Sequence, residues 1–144
     1  LFFCADQVIL GLVPIVITSG KDQHLLTEYF ASLRELASDY SGYRFLPGHY
    51  GEFTEIKEET DRIIAGYGER CTQLRQVLAE SNRPMTLLEL DQALYIQRMQ
   101  TYRYSFLFSY LHTWPKLFSC LDWLFETGVI DRTEKDGVLY WSLR

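Results

Sequence analysis

Apolar residues in the first fifty positions form two short runs, and each run stops at a polar side chain. Residues 1–4 (Leu-Phe-Phe-Cys) are followed after one alanine by Asp6, and residues 43–46 are followed by Pro-Gly and then His49. An apolar run bounded by turn residues is typical of a buried β-strand. Proline removes a ladder donor and glycine permits unusual backbone angles, so the Pro-Gly pair should stop the second strand. The pattern therefore predicts two strands that end in Asp6 and His49, and residues 11–19, rich in β-branched side chains, predict a strand or an extended segment.

Apolar positions recur at helical spacing in two further stretches. The first predicted helix covers residues 24–38 and packs on the sheet. The second runs from Thr54 to about Glu80 and has Gly66 and Gly68 in its middle. Each glycine costs about 1 kcal/mol relative to alanine inside a helix, so we expect close packing or a bend at this point.

The last sixty residues carry the signals of a second, mostly helical region. Residues 81–84 (Ser-Asn-Arg-Pro) break the long helix and form the best linker, and Thr86-Leu-Leu-Glu89 is a capping box that starts the next helix. Further helices are predicted over residues 102–113 and from Pro115 to a Gly128 stop. Asp136-Gly137 between two apolar runs predicts a β-hairpin. Three helices and a hairpin in this order predict a winged helix.

Taken in order, these motifs resemble the C-terminal half of the metallo-β-lactamase-fold hydrolases, in the branch with an appended winged-helix domain (glyoxalase II-like and β-lactamase-like 2 proteins). Members carry a strand ending in Asp, a Leu-rich segment with a proline, a Tyr-x-x-Ser-Leu-x-x-Leu helix and a strand closing on Leu-Pro-Gly-His-Gly. This chain matches at Asp6, Pro14, residues 29–36 and residues 46–49.

The resemblance implies an α/β fold followed by a mostly α domain. Residues 1–53 would form the C-terminal portion of an αββα metallo-β-lactamase sandwich. Residues 54–83 would form a long brace helix and linker, and residues 84–144 the winged-helix domain.

The resemblance also implies the chemistry. In the family the Asp bridges two metal ions, usually zinc, and the His binds one of them, so Asp6 and His49 take these roles. The metals supply a hydroxide that hydrolyses small esters or thioesters. The family's other ligands lie in an H-x-H-x-D-H motif and a further His, which have no counterpart here. Because a catalytic zinc needs about three protein ligands, we expect a fragment that alone is inactive and binds zinc weakly.

Two residues beside the expected ligands depart from the family pattern. Ala5 stands where a Gly usually precedes the Asp, and Tyr50 stands where a Gly usually follows the His. Tyr50 is a candidate residue of the substrate pocket, where it could narrow the pocket or donate a hydrogen bond. Cys4 lies two residues before Asp6 and would share its face by strand alternation, and we expect it to be a packed thiol.

Composition and charge narrow the expected partners. The 144 residues are 47% hydrophobic and carry a net charge of −5, and neither residues 1–84 nor residues 85–144 hold more basic than acidic side chains. General attraction to nucleic acid or to an anionic membrane is therefore not expected. The longest apolar run is too short for a membrane helix. The three cysteines form no C-x-x-C pair and are typical of reduced thiols in a cytoplasmic protein.

Three function classes stay open. The first is a zinc hydrolase with a small-molecule substrate. The second is an endoribonuclease of the same fold, which the negative charge disfavours without excluding it. The third is a non-enzymatic winged-helix interaction module. The aromatic residues between 102 and 110 fit either a base-stacking strip or a core and interface, with the latter favoured. His24 is expected to be a solvated or capping residue rather than a ligand, and His112 is expected to be structural. Strand edges exposed by an incomplete sandwich predict a homo-oligomer.

Overall fold

The computed structural model describes residues 1–17, 21–98 and 109–144, and it describes side chains up to residue 94 and again from residue 111. Most of the helix predicted over residues 102–113, including its aromatic residues, lies outside this part of the chain. The described chain divides into two compact units. The first comprises Leu1–Pro14 and Leu26–Gly68, and the second comprises Ile15–Leu25 and Glu69–Arg144.

The sheet of the first unit consists of two short parallel strands, β1 (Phe2–Ala5) and β2 (Phe45–Pro47). Phe2 pairs with Phe45, and Ala5 pairs with Pro47. The strand predicted over residues 43–46 is therefore displaced, since it begins at Phe45 and includes Pro47, and the Pro-Gly pair ends it as expected. Proline can close β2 because the next ladder bond comes from the Gly48 amide, which donates to the Ala5 carbonyl at 2.9 Å.

Helix α1 (Leu25–Asp39) confirms the predicted amphipathic helix, displaced by one residue. Its buried side chains recur at helical spacing, and they are Leu26, Phe30, Leu33 and Leu36. Leu33 is fully buried, which contributes about 1.5–3 kcal/mol of transfer free energy. The β1 end of the unit exposes Leu1 and Phe3 at 72% each. Self-association through this strand edge stays a prediction.

Residues 7–14 form an irregular loop, called here the 7–14 loop, in place of any strand beginning at residue 11. Gly11 has φ +70° and permits a turn in which the Leu12 amide donates to the Ile9 carbonyl at 3.1 Å. Arg62 donates from Nη2 to the carbonyls of Ile9 (3.1 Å) and Leu12 (2.7 Å). Side chains thus satisfy carbonyls that a strand partner would otherwise satisfy.

Helix α2 (Ile56–Ser81) confirms the long helix and is followed by Asn82, which has φ +49°. The two glycines in its middle have different environments. A Cβ at Gly66 would lie 2.6 Å from Cγ2 of Val13, whereas a Cβ at Gly68 would meet nothing within 4 Å. Close packing therefore explains Gly66 and does not explain Gly68.

The second unit contains α3 (Leu87–Arg98), a π-helical segment (Ser109–Thr113), α4 (Trp114–Glu126), and the strands β3 (Ile130–Lys135) and β4 (Val138–Leu143). None of the described helices combines the length and apolar character that crossing a membrane requires. The cysteines at positions 4, 71 and 120 are all buried with free thiols, as expected.

The capping box at the start of α3 is confirmed. The Thr86 amide donates to Oε2 of Glu89 at 2.8 Å, and the Glu89 amide donates to Oγ1 of Thr86 at 3.3 Å. The hydrogen bond from the Thr86 amide lowers the pKa of the Glu89 carboxyl. The box therefore fixes the entry to α3 after the linker.

The predicted hairpin is also confirmed. Asp136 and Gly137 both have positive φ, as the two central residues of a tight turn between antiparallel strands require. Met85 forms a bridge to Trp141 with two backbone hydrogen bonds of 2.8 and 2.9 Å. The first and third predicted helices and the hairpin are present, most of the helix predicted over residues 102–113 lies outside the described residues, and the winged-helix arrangement stays a prediction.

The two glycines of α2 give a paired test of packing. Gly68→Ala should raise the free energy of unfolding by about 1 kcal/mol, because alanine has the higher helix propensity and the site is open. Gly66→Ala should lower it by about 1–2 kcal/mol, because the new methyl group overlaps the stiff side chain of Val13. Urea denaturation of the 144-residue chain measures both values. Equal effects of the two substitutions would contradict the packing role of Gly66.

Candidate metal site

The ends of β1 and β2 bring Asp6 and His49 together. Carboxyl ends of paired parallel strands lie at the same edge of a sheet, and Asp6 follows β1 directly while His49 lies two residues after β2. Oδ1 of Asp6 lies 3.6 Å from Nε2 of His49. The convergence expected from the sequence is therefore present.

Gly48 makes this close approach sterically feasible. A Cβ on Gly48 would overlap Oδ1 of Asp6 and would lie 3.3 Å from its Cγ. Any other residue at this position would displace the carboxylate or the turn. The glycine therefore provides room for the carboxylate beside His49 as well as ending the strand.

The spacing of the two donor atoms fits zinc. Two ligands that lie about 2.0–2.2 Å from one zinc ion at a tetrahedral angle are about 3.3–3.6 Å apart. The separation of 3.6 Å between the Asp6 and His49 atoms falls at the upper end of this range. Both side chains are 63% exposed, so further ligands can reach them. Carboxylate and imidazole are also ligand types that zinc accepts.

The two residues by themselves are an incomplete ligand set. Among the residues that the structure describes, no group of three or more His, Cys, Asp or Glu side chains could hold a metal ion. A catalytic zinc takes about three protein ligands and a water. The assignment of Asp6 and His49 as metal ligands therefore stays a prediction, and it requires ligands from elsewhere.

Each candidate ligand has a neighbour in the left-handed backbone region. Ala5, directly before Asp6, has φ +46°, and Tyr50, directly after His49, has φ +68°. These are the two positions where the resembled family usually has glycine. A side chain in this region costs about 1–2 kcal/mol, which glycine avoids. Ala5 and Tyr50 thus each hold a side chain in a backbone conformation that glycine adopts without strain.

The expectation that Cys4 shares a face with Asp6 is wrong. Cys4 is buried, and its Sγ lies 3.9 Å from the Val8 carbonyl oxygen, whereas the Asp6 side chain is largely exposed. Strand alternation fails here because the β1 register shifts between Phe3 and Ala5, and Ala5 leaves the extended conformation. Burial raises the pKa of the Cys4 thiol. The cysteine is the packed thiol that the sequence favoured.

The other residues that the sequence singled out, Tyr50, His24 and His112, are all exposed. Tyr50 is 71% exposed and adjoins His49 in the chain, so its assignment to a substrate pocket stays a prediction. His24 is exposed, and its Nδ1 pairs with Oε1 of Glu126 at 2.7 Å within the second unit. His112 is an exposed residue of the π-helical segment.

Of the comparisons with known proteins, the one with solved structures identifies the fold. A scan of protein families finds no match for the sequence, and no curated protein matches it either. Among solved structures, the chain is similar to a metallo-beta-lactamase family protein from Thermus thermophilus, with a TM-score of 0.74 and 20% identity over 99% of this chain. It is also similar to a beta-lactamase domain protein from Burkholderia ambifaria, with a TM-score of 0.76 and 18% identity over 97% of this chain.

The chain spans 41% and 40% of the lengths of these two proteins. At this level of identity the likeness concerns the fold alone. The mixed α/β architecture is therefore that of part of a metallo-β-lactamase-family structure, in agreement with the resemblance seen in the sequence.

The backbone strain at Ala5 is testable. Ala5→Gly should raise the free energy of unfolding by about 0.5–1 kcal/mol, because relief of the left-handed strain exceeds the entropy that glycine adds to the unfolded chain. Ala31→Gly, at an exposed position inside α1, is the matched control and should lower the free energy of unfolding by about 1 kcal/mol. Chemical denaturation measures both. A loss of stability of similar size in the two variants would show that Ala5 is unstrained.

Proposed function

We propose that Asp6 and His49 are zinc ligands and that this chain supplies part of the active site of a metallo-hydrolase. The observation that carries the proposal is the 3.6 Å separation of Oδ1 and Nε2 at the ends of two paired parallel strands. Gly48 supports it, because its missing Cβ leaves room for Oδ1 of Asp6 in the direction of His49. The likeness in fold to metallo-β-lactamase-family structures supports it independently.

In this proposal each residue has a defined task. The Asp6 carboxylate would supply negative charge and oxygen ligands, and His49 would supply one nitrogen ligand through Nε2. Zinc bound at such a site acts as a Lewis acid and lowers the pKa of a water ligand to about 7. The exposure of both side chains leaves one side of the site open to substrate.

The proposed substrate class is a small ester or thioester. The net charge of −5 disfavours a polyanionic substrate such as single-stranded RNA, which would need a basic groove. Tyr50 offers an exposed aromatic ring and hydroxyl next to His49, which suits a contact with a small substrate. Two alternatives remain. The first is an endoribonuclease of the same fold, and the second is a non-enzymatic winged-helix interaction module.

The metal assignment predicts weak, His49-dependent zinc binding by the 144-residue chain. Two ligands hold zinc too weakly to survive desalting, so elemental analysis should find well below one equivalent. During titration with Zn²⁺, the ring resonances of His49 should shift at lower metal concentration than those of His24 and His112. His49→Gln and Asp6→Asn should each weaken this binding.

His24→Gln is the matched control, because it removes a histidine that is 60% exposed and paired with Glu126. It should leave the zinc-dependent shift of His49 unchanged. Stoichiometric zinc after desalting would contradict the predicted weak binding. First binding at another histidine would contradict the assignment of His49 as a ligand.

The substrate class predicts an assay result for the gene product that contains this chain. It should hydrolyse thioesters or small esters faster than single-stranded RNA. Asp6→Asn should abolish that activity. Asp39→Asn, which changes an exposed carboxylate of α1, is the control and should leave the activity unchanged. Tyr50→Gly should change the relative rates on substrates of different size, because the side chain adjoins His49. Preferential RNA cleavage would favour the alternative, and inactivity on all three would favour the binding module.

A further inference from the structure

Two side chains of helix α1 form hydrogen bonds with Gln7, the residue that follows Asp6. The Tyr29 hydroxyl donates to the Gln7 carbonyl at 2.7 Å. One turn further along α1, Oγ of Ser32 accepts a hydrogen bond from Nε2 of Gln7 and donates to the Tyr29 carbonyl at 3.1 Å. Both the main chain and the side chain of Gln7 are thus fixed to the same face of α1.

The residue before Asp6 is held as well. The Gly48 amide donates to the Ala5 carbonyl at 2.9 Å, and the Gln7 amide donates to the Cys4 carbonyl at 3.0 Å. The main chain on both sides of Asp6 therefore has hydrogen-bond partners, whereas the Asp6 carboxylate itself is 63% exposed and lies beside His49. An exposed carboxylate can keep a fixed direction only if its main chain is fixed.

We propose that Tyr29 and Ser32 are positioning residues that act through Gln7 to aim the Asp6 carboxylate at the ion shared with His49. This inference rests on the proposed zinc site and assigns to α1 a task beyond covering the sheet. Neither side chain touches the ion or the substrate. Their effect reaches the site through one peptide unit, from the Gln7 carbonyl back to Asp6.

The chemistry of the tyrosine suits this task. A tyrosine hydroxyl is protonated at neutral pH, and burial raises the pKa of Tyr29 further, so the group remains a hydrogen-bond donor. The hydrogen bond from this hydroxyl to the Gln7 carbonyl is partly buried, so leaving the carbonyl unpaired would cost free energy. The Gln7 carbonyl is therefore held in one direction.

Tyr67 provides a matched control within the same unit. Its hydroxyl also donates to a loop carbonyl at 2.7 Å, in this case that of Pro14, eight residues from Asp6. Tyr29→Phe and Tyr67→Phe each remove one hydroxyl and one hydrogen bond from the 7–14 loop. A purely structural role predicts the same consequences for the two variants, whereas the positioning role predicts a difference at Asp6.

The experiment measures amide hydrogen exchange and Zn²⁺ binding in the 144-residue chain. Tyr29→Phe should speed exchange of the Gln7 and Gly48 amides about fivefold and raise the apparent Kd for Zn²⁺ at His49 about fivefold, as expected for the loss of one hydrogen bond. Tyr67→Phe should leave the exchange of both amides and the Kd unchanged. Ser32→Ala is a milder second variant that should act in the same direction as Tyr29→Phe, and Ser38→Ala, an exposed serine of α1, is its control.

The possible results separate the two proposals. Equal exchange of the Gln7 and Gly48 amides in Tyr29→Phe and Tyr67→Phe would overturn the positioning role, whatever the zinc titration shows. No zinc-dependent shift of His49 in the unsubstituted chain would overturn the zinc site. In that case faster exchange at Gln7 and Gly48 would still show that Tyr29 fixes the main chain around Asp6.

Discussion

The parallel pairing of β1 with β2 is the interaction on which the candidate site depends. These strands are only four and three residues long, and they come from positions more than forty residues apart in the chain. Parallel pairing places their carboxyl ends at one edge, so that Asp6 and His49 meet there. An antiparallel pair would place the same two side chains at opposite ends. The short ladder is supported by Phe45, which is fully buried and also bridges to Phe53.

The turns that follow the two strands combine close packing with backbone strain. Gly48 is required because its missing Cβ leaves room for the Asp6 carboxylate, while Ala5 and Tyr50 adopt conformations that favour glycine. Left-handed backbone at these two positions costs stability, and strain of this kind is common where a site must keep a fixed shape. The surrounding structure therefore has to hold the turns in place.

The helices provide that support through polar side chains. Tyr29 and Ser32 hold Gln7, Arg62 holds the carbonyls in the middle of the 7–14 loop, and Tyr67 holds that of Pro14. An irregular loop needs such partners, because unpaired buried carbonyls are costly. Of these contacts, only those of Tyr29 and Ser32 reach the residue next to Asp6, so the proposed positioning of the carboxylate depends on part of the hydrogen bonds that stabilise the loop.

The sequence by itself determined most of the described elements and the residue types at the strand ends. Periodicity located α1 and α2 within one or two residues, the capping box and the Asp-Gly pair located α3 and the hairpin, and the two apolar runs pointed to Asp6 and His49. These features depend on local propensity and spacing, which a sequence displays directly. Only the tertiary structure decided that Cys4 faces away from Asp6, that Gly48 makes room for the carboxylate, and that Tyr29 holds Gln7. Those facts depend on contacts between distant residues and on a register shift beside Ala5, which no local pattern encodes.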